Sequence, residues 1–224
     1  MKSERFYKEY NEEYYKERYY PKHHIIKYIK FLLKQKENIR WLDVGCGQGY
    51  LVRECLKEGI DCYGIDISEY AVKNAVVKDK VVYGSITDIP FEDNSFDVIS
   101  AFDVIEHIHP KDTEKAFSEI YRVLKKDGFL ILTMPNPCYI GNWIYDLTHI
   151  NVRPLKYWKL ILKDFGFKLK VEYVPSFLKY YIYQNFSVSI PIPDKVAFWL
   201  EEPIRHILGK IYSKKGRIYI VAWK

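Results

Sequence analysis

The 224-residue sequence has no apolar run near the ~20 residues of a spanning helix. Its first residues, Met1-Lys-Ser-Glu-Arg5, lack the apolar stretch of a secretory leader. A cytoplasmic protein is therefore expected. Cysteine is scarce. Cys46, Cys55, Cys62 and Cys138 form no C-x-x-C pair and no zinc spacing, so neither a disulfide framework nor a zinc module is indicated. Three of them fall in or beside expected buried elements, where a free thiol packs as a small apolar group. Internal repeats are absent, which excludes solenoids and arrays. Charge of one sign is not blocked together: 35 Lys+Arg and 29 Asp+Glu leave +6, and the scattered lysines give no reason to expect nucleic acid as a partner. Gln is rare while Lys, Glu, Ile and Tyr abound, a balance that points to a thermophile. What is plentiful is apolar and aromatic matter, 48% and 17% with 21 tyrosines. That is ample for the core of one α/β domain with an elaboration.

The stretch Trp41-Leu-Asp-Val-Gly-Cys-Gly-Gln-Gly-Tyr-Leu51 organises the chain. Three apolar residues and Asp43 read as a short buried strand. A glycine-rich turn follows, and a helical pattern runs from about Tyr50 to Glu58. Glycines here permit positive φ and let a ligand approach the backbone with no Cβ in the way. The helix start beyond presents unpaired N–H groups. This is a nucleotide-type site, and a glycine turn without ligand is the bland alternative. Gly45, Gly47 and Gly49 give G-x-G-x-G, not the G-x-G-x-x-G of dinucleotide sites. The D-V-G-C-G-x-G string resembles motif I of the class I S-adenosylmethionine (SAM) methyltransferases.

Companion segments extend the resemblance. A second strand, Asp61 to Asp66, ends on an acid 17 positions after Gly49. That interval fits one helix and a return strand, which sets Asp66 beside the loop, where a carboxylate accepts from both ribose hydroxyls. Ser68 suits the N-cap of the next helix. A third strand covers Lys80 to Gly84. The following Gly84-Ser-Ile-Thr-Asp-Ile-Pro-Phe-Glu-Asp-Asn-Ser-Phe-Asp-Val-Ile99 resembles the family's G-D-x-x-x-L-P-F-x-D-x-S-F-D-x-V. There the adenine is held by the side chain after the glycine and the next backbone amide. Ser85 stands where the family usually has Asp, and the Ile86 amide carries over. The resemblance thus implies SAM as cofactor, bound by Asp43, Gly45, Cys46, Gly47, Tyr50, Asp66, Ile67, Ser85, Ile86, Ala101 and Phe102.

A fourth strand, Phe96 to Ala101, leads into Phe102-Asp-Val-Ile-Glu-His-Ile-His-Pro110. Asp103-x-x-Glu106-His107 resembles the segment lining the transfer site in ubiquinone-biosynthesis-type O-methyltransferases. Three roles are open. His107 is a general base; Asp103, Glu106 and His107 hold a hard divalent ion; or Glu106 and His107 only cap and pack the next helix. That helix starts at Asp112–Thr113 with Ala116, Ile120, Val123 and Leu124 on its apolar face, and Gly128 turns the chain into a fifth strand. Met134-Pro-Asn-Pro-Cys138 resembles a small-molecule subgroup in which a loop with a His follows. His149 fills that place, as a second acid/base or orienting candidate. His107 and His149 are the residues assigned to catalysis, and none is assigned to a metal. Pro137-Cys138 follows strand five and is not a cytosine-methylating nucleophile.

A Rossmann-like, seven-stranded, mostly parallel sheet is expected, with helices on both faces and an antiparallel last strand. Residues 1–38 form a helical cap. It begins with the stripe Phe6, Tyr10 and Tyr14; a stripe that packs on the sheet is one reading, and contact of Tyr14, Tyr15 or Tyr20 with ligand is the other. A second helix, about Lys22 to Lys36, carries Ile25, Ile29, Leu32 and Leu33 on one face. Residues 39–174 form the core, with a sixth strand from about Phe167 to Val174; 175–215 are an insert and 216–224 the closing strand. The insert is too long for an unstructured connector. Val196, Trp199, Leu200, Ile204, Ile207, Leu208 and Ile211 mark an amphipathic helix within it. An acceptor pocket, a homodimer or packing contact, and a peripheral membrane contact are the readings of this segment. The expected function is methyl transfer from SAM to an O or N nucleophile of a small molecule, of lipid or glycan type. A non-catalytic SAM-binding module is the alternative, and an NAD-dependent oxidoreductase is disfavoured by the glycine spacing.

Overall fold

A computed structural model describes residues 23–33, 36–137, 146, 148–171, 196, 199–200 and 217–224. In chain order the elements are α1 (His23–Leu32), β1 (Arg40–Val44), α2 (Tyr50–Lys57), β2 (Asp61–Asp66), α3 (Glu69–Lys73), β3 (Val81–Tyr83), β4 (Phe96–Phe102), α4 (Thr113–Val123), β5 (Leu124–Pro135), α5 (Leu155–Asp164), β6 (Lys168–Val171) and β7 (Arg217–Trp223). The strands form one seven-stranded sheet in the order β3-β2-β1-β4-β5-β7-β6. The pairs from β3 through β5 are parallel. β7 lies antiparallel between β5 and β6. The expected fold class is the one observed. β6 and β7 do close the sheet, but only β7 runs against the other strands.

The period-2 alternation of a strand divides the sheet's side chains between two cores. Leu42, Ile99, Leu130, Leu132, Ile220 and Ala222 pack with Phe117 and Ile120 of α4 and Trp158 and Leu162 of α5. Their neighbours Trp41, Val98, Ile131 and Val221 pack on the other face with Ile25, Ile26 and Ile29 of α1 and Val52 and Cys55 of α2. With both faces covered, the central strands can be apolar throughout; Phe96 to Ala101 are all buried.

Two buried carboxylates sit among these apolar groups, each hydrogen-bonded. Trp41 Nε1 donates to Ser100 Oγ (2.8 Å), which donates to Asp43 Oδ1 (2.6 Å), a relay across β1 and β4. At the opposite end of β4, Asp97 accepts from Lys36, the Arg40 amide and Lys125. Burial raises the Asp97 pKa, but these donors prevail and hold it below the usual carboxylate range.

Some boundaries differ from expectation. Leu124 opens β5 instead of closing α4, and β5 runs through Gly128. Residues 125–128 bulge out between Leu124, opposite Phe96, and Phe129, opposite Val98. Asp127, not Gly128, takes the left-handed conformation (φ 62°). Gly128 is needed for close approach, because a Cβ there would lie 2.8 Å from the Lys125 carbonyl. The Phe6–Tyr14 stripe, Tyr15, Tyr20, Cys138 and nearly all of the insert lie outside the described residues. Among the described residues, no helix is long and apolar enough to cross a membrane.

Ser100→Ala removes the centre of the Trp41–Asp43 relay. Denaturant unfolding should show a loss of about 1–3 kcal/mol, the cost of leaving buried polar partners unsatisfied.

Candidate active site

The glycine loop leaves β1 at Val44 and folds back on β2. The amides of Gly45 and Cys46 both donate to the Ile65 carbonyl (2.8 and 3.0 Å). Gly45 has φ 66°, and a Cβ there would lie 2.4 Å from Val104 Cγ2. Gly49, at φ 77°, would set a Cβ 2.6 Å from Val81 Cγ2. Both positions therefore exclude a side chain on space as well as on conformation. Gly47 shares the left-handed region (φ 55°).

Asp66 ends β2 against this loop. Its Oδ2 accepts from the Gly47 amide (2.7 Å) and its Oδ1 from the Ser68 amide (2.8 Å). Ser68 caps α3, its Oγ accepting from the Ala71 amide. Asp43 is buried beneath the loop and takes the Ser100 hydroxyl. Cys46 lies against Gly64, where a Cβ would come 2.5 Å from its Sγ. Burial, aided by the charges of Asp66 and Asp43, pushes the Cys46 thiol well above its ordinary pKa. Cys46 therefore packs as a neutral thiol. Gly64 was not singled out from sequence; a glycine inside a strand is the signal that marks close approach. Tyr50 begins α2 with the Arg53 guanidinium 5.2 Å from its ring centroid. Ile67, half-buried, follows Asp66.

Ser85 and Ile86 lie in a tight turn after β3. The Asp88 amide donates to the Ser85 carbonyl, and the Thr87 amide to Ser85 Oγ (3.2 Å), which is also 2.8 Å from Thr87 Oγ1. The Ile86 side chain is buried in the core. Ala101 is buried and Phe102 half-buried at the end of β4.

Past β4 the backbone bends sharply. Asp103 adopts φ 57° and is fixed to β5: its amide donates to the Thr133 carbonyl, and its carboxylate accepts the Thr133 hydroxyl (3.1 Å). Val104 then lies on Gly45, and Ile105–His107 form a single 3-10 turn. Asp103 does not join Glu106 and His107. The residue that joins them is His149. The ligand atoms of Glu106, His107 and His149 all lie within 4.8 Å of one another, and the two imidazole centroids are 4.8 Å apart at 60°. Glu106 is buried, and its carbonyl accepts the amides of Ile150 and Asn151, which ties the His149 segment to this turn. Asn151 Nδ2 also donates to Thr113 Oγ1 at the start of α4.

Two residues that sequence reasoning missed organise the pair. Asp146 accepts the hydroxyl and the amide of Thr148. Thr148 Oγ1 is 2.9 Å from His107 Nδ1, and His149 Nε2 is 3.5 Å from Asp146 Oδ2. Burial raises the Asp146 pKa, but the Thr148 bonds and the imidazoles hold the carboxyl below its ordinary value. Burial, reinforced by His149, lowers the His107 pKa to about 4, against the opposing pull of Asp146. His107 is thus uncharged at neutral pH and offers a lone pair, not a second proton. No sequence motif names Asp146 or Thr148; their only signal is position one and three residues before His149.

The chain matches a family model described as a methyltransferase domain over residues 14–171. An uncharacterized protein of Methanocaldococcus jannaschii is 32% identical over 206 residues, 88% of this chain and 84% of that protein. Phosphoethanolamine N-methyltransferase 2 of Caenorhabditis elegans is 41% identical over 118 residues, 49% of this chain; the match spans 26% of that enzyme's length. Among solved structures, a SAM-dependent methyltransferase from Archaeoglobus fulgidus shares the fold, with a TM-score of 0.60 at 22% identity, covering 89% of this chain and 93% of that one.

The histidine pair has a stability signature. Between pH 6.5, the ordinary value for an exposed imidazole, and about 4, the unfolded chain binds a proton at His107 that the folded chain does not. Stability should therefore fall as pH drops through that window, by at most about 1.4 kcal/mol per unit from this group. Unfolding curves of the parent and His107→Gln across pH 4–7 should show a shallower slope in the variant.

Proposed function

We propose that this chain, which belongs to the class I SAM-dependent methyltransferases, moves a methyl group to an oxygen or nitrogen nucleophile of a small-molecule acceptor handled by His107 and His149. Family and cofactor rest on the match to the methyltransferase domain over residues 14–171. The acceptor assignment rests on one observation. Val104 seats against Gly45, and the next turn carries His107 to His149.

The residues present fit SAM. Gly45, Gly47 and Gly49 turn the loop in the left-handed region, and the Asp66 carboxylate ends β2 directly against it. In this reading Asp66 accepts from the ribose hydroxyls. The Ile86 amide and Ser85 Oγ meet the adenine, the latter shared with Thr87. Bound SAM supplies a methyl on a sulfonium, a leaving group already activated. The protein's own share is alignment, worth ~7–11 kcal/mol in well-oriented reactions, together with exclusion of water. His107, neutral near pH 7, takes a hydrogen bond from the acceptor's O–H or N–H and so turns its lone pair outward for attack. A SAM-binding module without turnover is the competing reading. The histidine pair beside the loop, which cofactor binding alone does not require, favours catalysis.

Segment 172–216 supports a bulky acceptor. β6 ends, and β7 begins, at the sheet edge that carries the glycine loop, since Arg217 of β7 pairs with Pro135 at the end of β5. Its sequence is rich in tyrosine and aliphatic residues, and its described members Val196, Trp199 and Leu200 are exposed apolar groups. An acceptor with a lipid- or glycan-type body suits such a segment.

Asp66→Ala should weaken SAM binding at least about tenfold by calorimetry, since a hydrogen bond to a charged group is worth about 1.5–3 kcal/mol. Unchanged affinity in a folded variant rejects the cofactor site. S-adenosylhomocysteine should accumulate when the protein is incubated with SAM and a metabolite pool; SAM held without turnover favours the binding module. His107→Ala should lose kcat while keeping SAM affinity. The parent rate should be flat from about pH 6 to 8 and fall as His107 protonates near pH 4.

A further inference from the structure

The arrangement around Asp146 fixes where the imidazole protons are. Asp146, a carboxylate ionised at neutral pH, can only accept. Thr148 gives it both its hydroxyl proton and its amide proton. Thr148 Oγ1 must then act as acceptor toward His107 Nδ1, 2.9 Å away, which places the His107 proton on Nδ1 and the lone pair on Nε2. His149 turns Nε2 toward Asp146 Oδ2 at 3.5 Å, which places a proton on Nε2 and leaves Nδ1 as the ring's ligand atom. One carboxylate thus orients two imidazoles, directly in one case and through a threonine in the other. Histidines that bind metals are oriented in this manner, by donating the second ring N–H to a carboxylate or its relay.

Glu106 completes the set. Its carboxylate is buried, at 1% exposure, and one of its oxygens lies within 4.8 Å of one ring nitrogen of each histidine. Ligand atoms about 2.0–2.2 Å from a tetrahedral ion lie roughly 3.4 Å apart, a contraction that small side-chain rotations supply. A buried carboxylate beside two imidazoles is a place where a cation lowers the cost of burying negative charge.

We propose that Glu106, His107 and His149 bind a divalent transition-metal ion, with one carboxylate oxygen and two imidazole nitrogens as ligands and one position left to an oxygen of the acceptor. Two nitrogens and one oxygen suit zinc, iron(II), cobalt(II) or manganese better than magnesium or calcium, which favour all-oxygen shells. The set differs from the one left open by the sequence, because Asp103 accepts the Thr133 hydroxyl and His149 takes its place in the cluster. What the ion does rests on the methyl-transfer reading above, whereas its binding does not. Coordinated to the ion, an acceptor hydroxyl ionises more readily and its proton passes to solvent. The alkoxide oxygen then forms the new bond to the methyl carbon as the carbon–sulfur bond breaks and its electron pair stays on sulfur. The ion occupies the lone pairs that would otherwise meet the acceptor directly, and it selects an oxygen nucleophile.

The test uses the full-length protein, stripped with chelator and titrated with zinc or cobalt(II) chloride by calorimetry and elemental analysis. One ion per chain is expected. His149→Ala and Glu106→Gln should each weaken it at least about tenfold, and Asp146→Asn, which touches no ion, by roughly 10–100-fold. His109→Ala, an exposed histidine outside the cluster, should bind as the parent does. Cobalt(II) bound in the parent should give visible absorption that is lost in His149→Ala. Melting curves separate loss of the site from loss of the fold; because Glu106 is buried, His149→Ala decides the matter if Glu106→Gln does not fold. Absence of saturable binding, or equal affinity in all cluster variants, overturns the proposal. SAM titration of the same samples keeps the two readings apart. SAM bound without a metal site rejects the ion alone, and a metal site without SAM binding rejects the methyl-transfer reading.

Discussion

The seating of Val104 on Gly45 is the contact on which the site depends. A single Cβ at residue 45 would fall 2.4 Å from the Val104 side chain. The glycine therefore does two things at once. It bends the backbone where the cofactor loop must turn, and it lets the segment after β4 lie on that loop. The histidine turn starts from Val104 itself, so the two halves of the site share one packed contact. Neither half can shift far without the other, because close-packed interiors transmit displacement.

Electrostatics around the histidine turn work in the same direction. Asp146 alone would draw protons onto both rings. Burial of His107 and the influence of His149 prevail, and the ring's pKa is held down at about 4. Asp146 acts instead on orientation, through Thr148 on one ring and directly on the other. Where a carboxylate in open water would offer a modest, screened attraction, here it decides which nitrogen carries each proton.

The sequence carried the parallel part of the sheet well, because its signals are local. The apolar runs at Trp41–Val44 and Phe96–Ala101, the glycine triplet and the acid at Asp66 each lie within a few residues of what they shape. The Ser68 cap was legible for the same reason. Gly128 misled because a glycine after a helix usually means a turn, whereas the chain here passes straight into β5 and puts the left-handed residue at Asp127. Asp103 was grouped with Glu106 and His107 by the motif they share, yet the backbone turns out of line at φ 57° and sets its carboxylate on the Thr133 hydroxyl. Asp146 and Thr148 were invisible. They act across some 40 residues of sequence on His107, brought there by the bonds from Ile150 and Asn151 to the Glu106 carbonyl, and no short-range pattern announces such a contact.

The reversal of β7 has a consequence for how such a protein diversifies. Because that strand runs against its neighbours, the segment preceding it departs from and returns to one edge of the sheet. Its length does not enter the hydrogen-bond register of β5, β7 and β6. Loop closure grows costly only slowly with length, about 0.6 kcal/mol per doubling. Residues can thus be gained or lost there with little thermodynamic penalty, while the cofactor loop stays unchanged. Evolution can rewrite what the chain recognises without renegotiating how it folds.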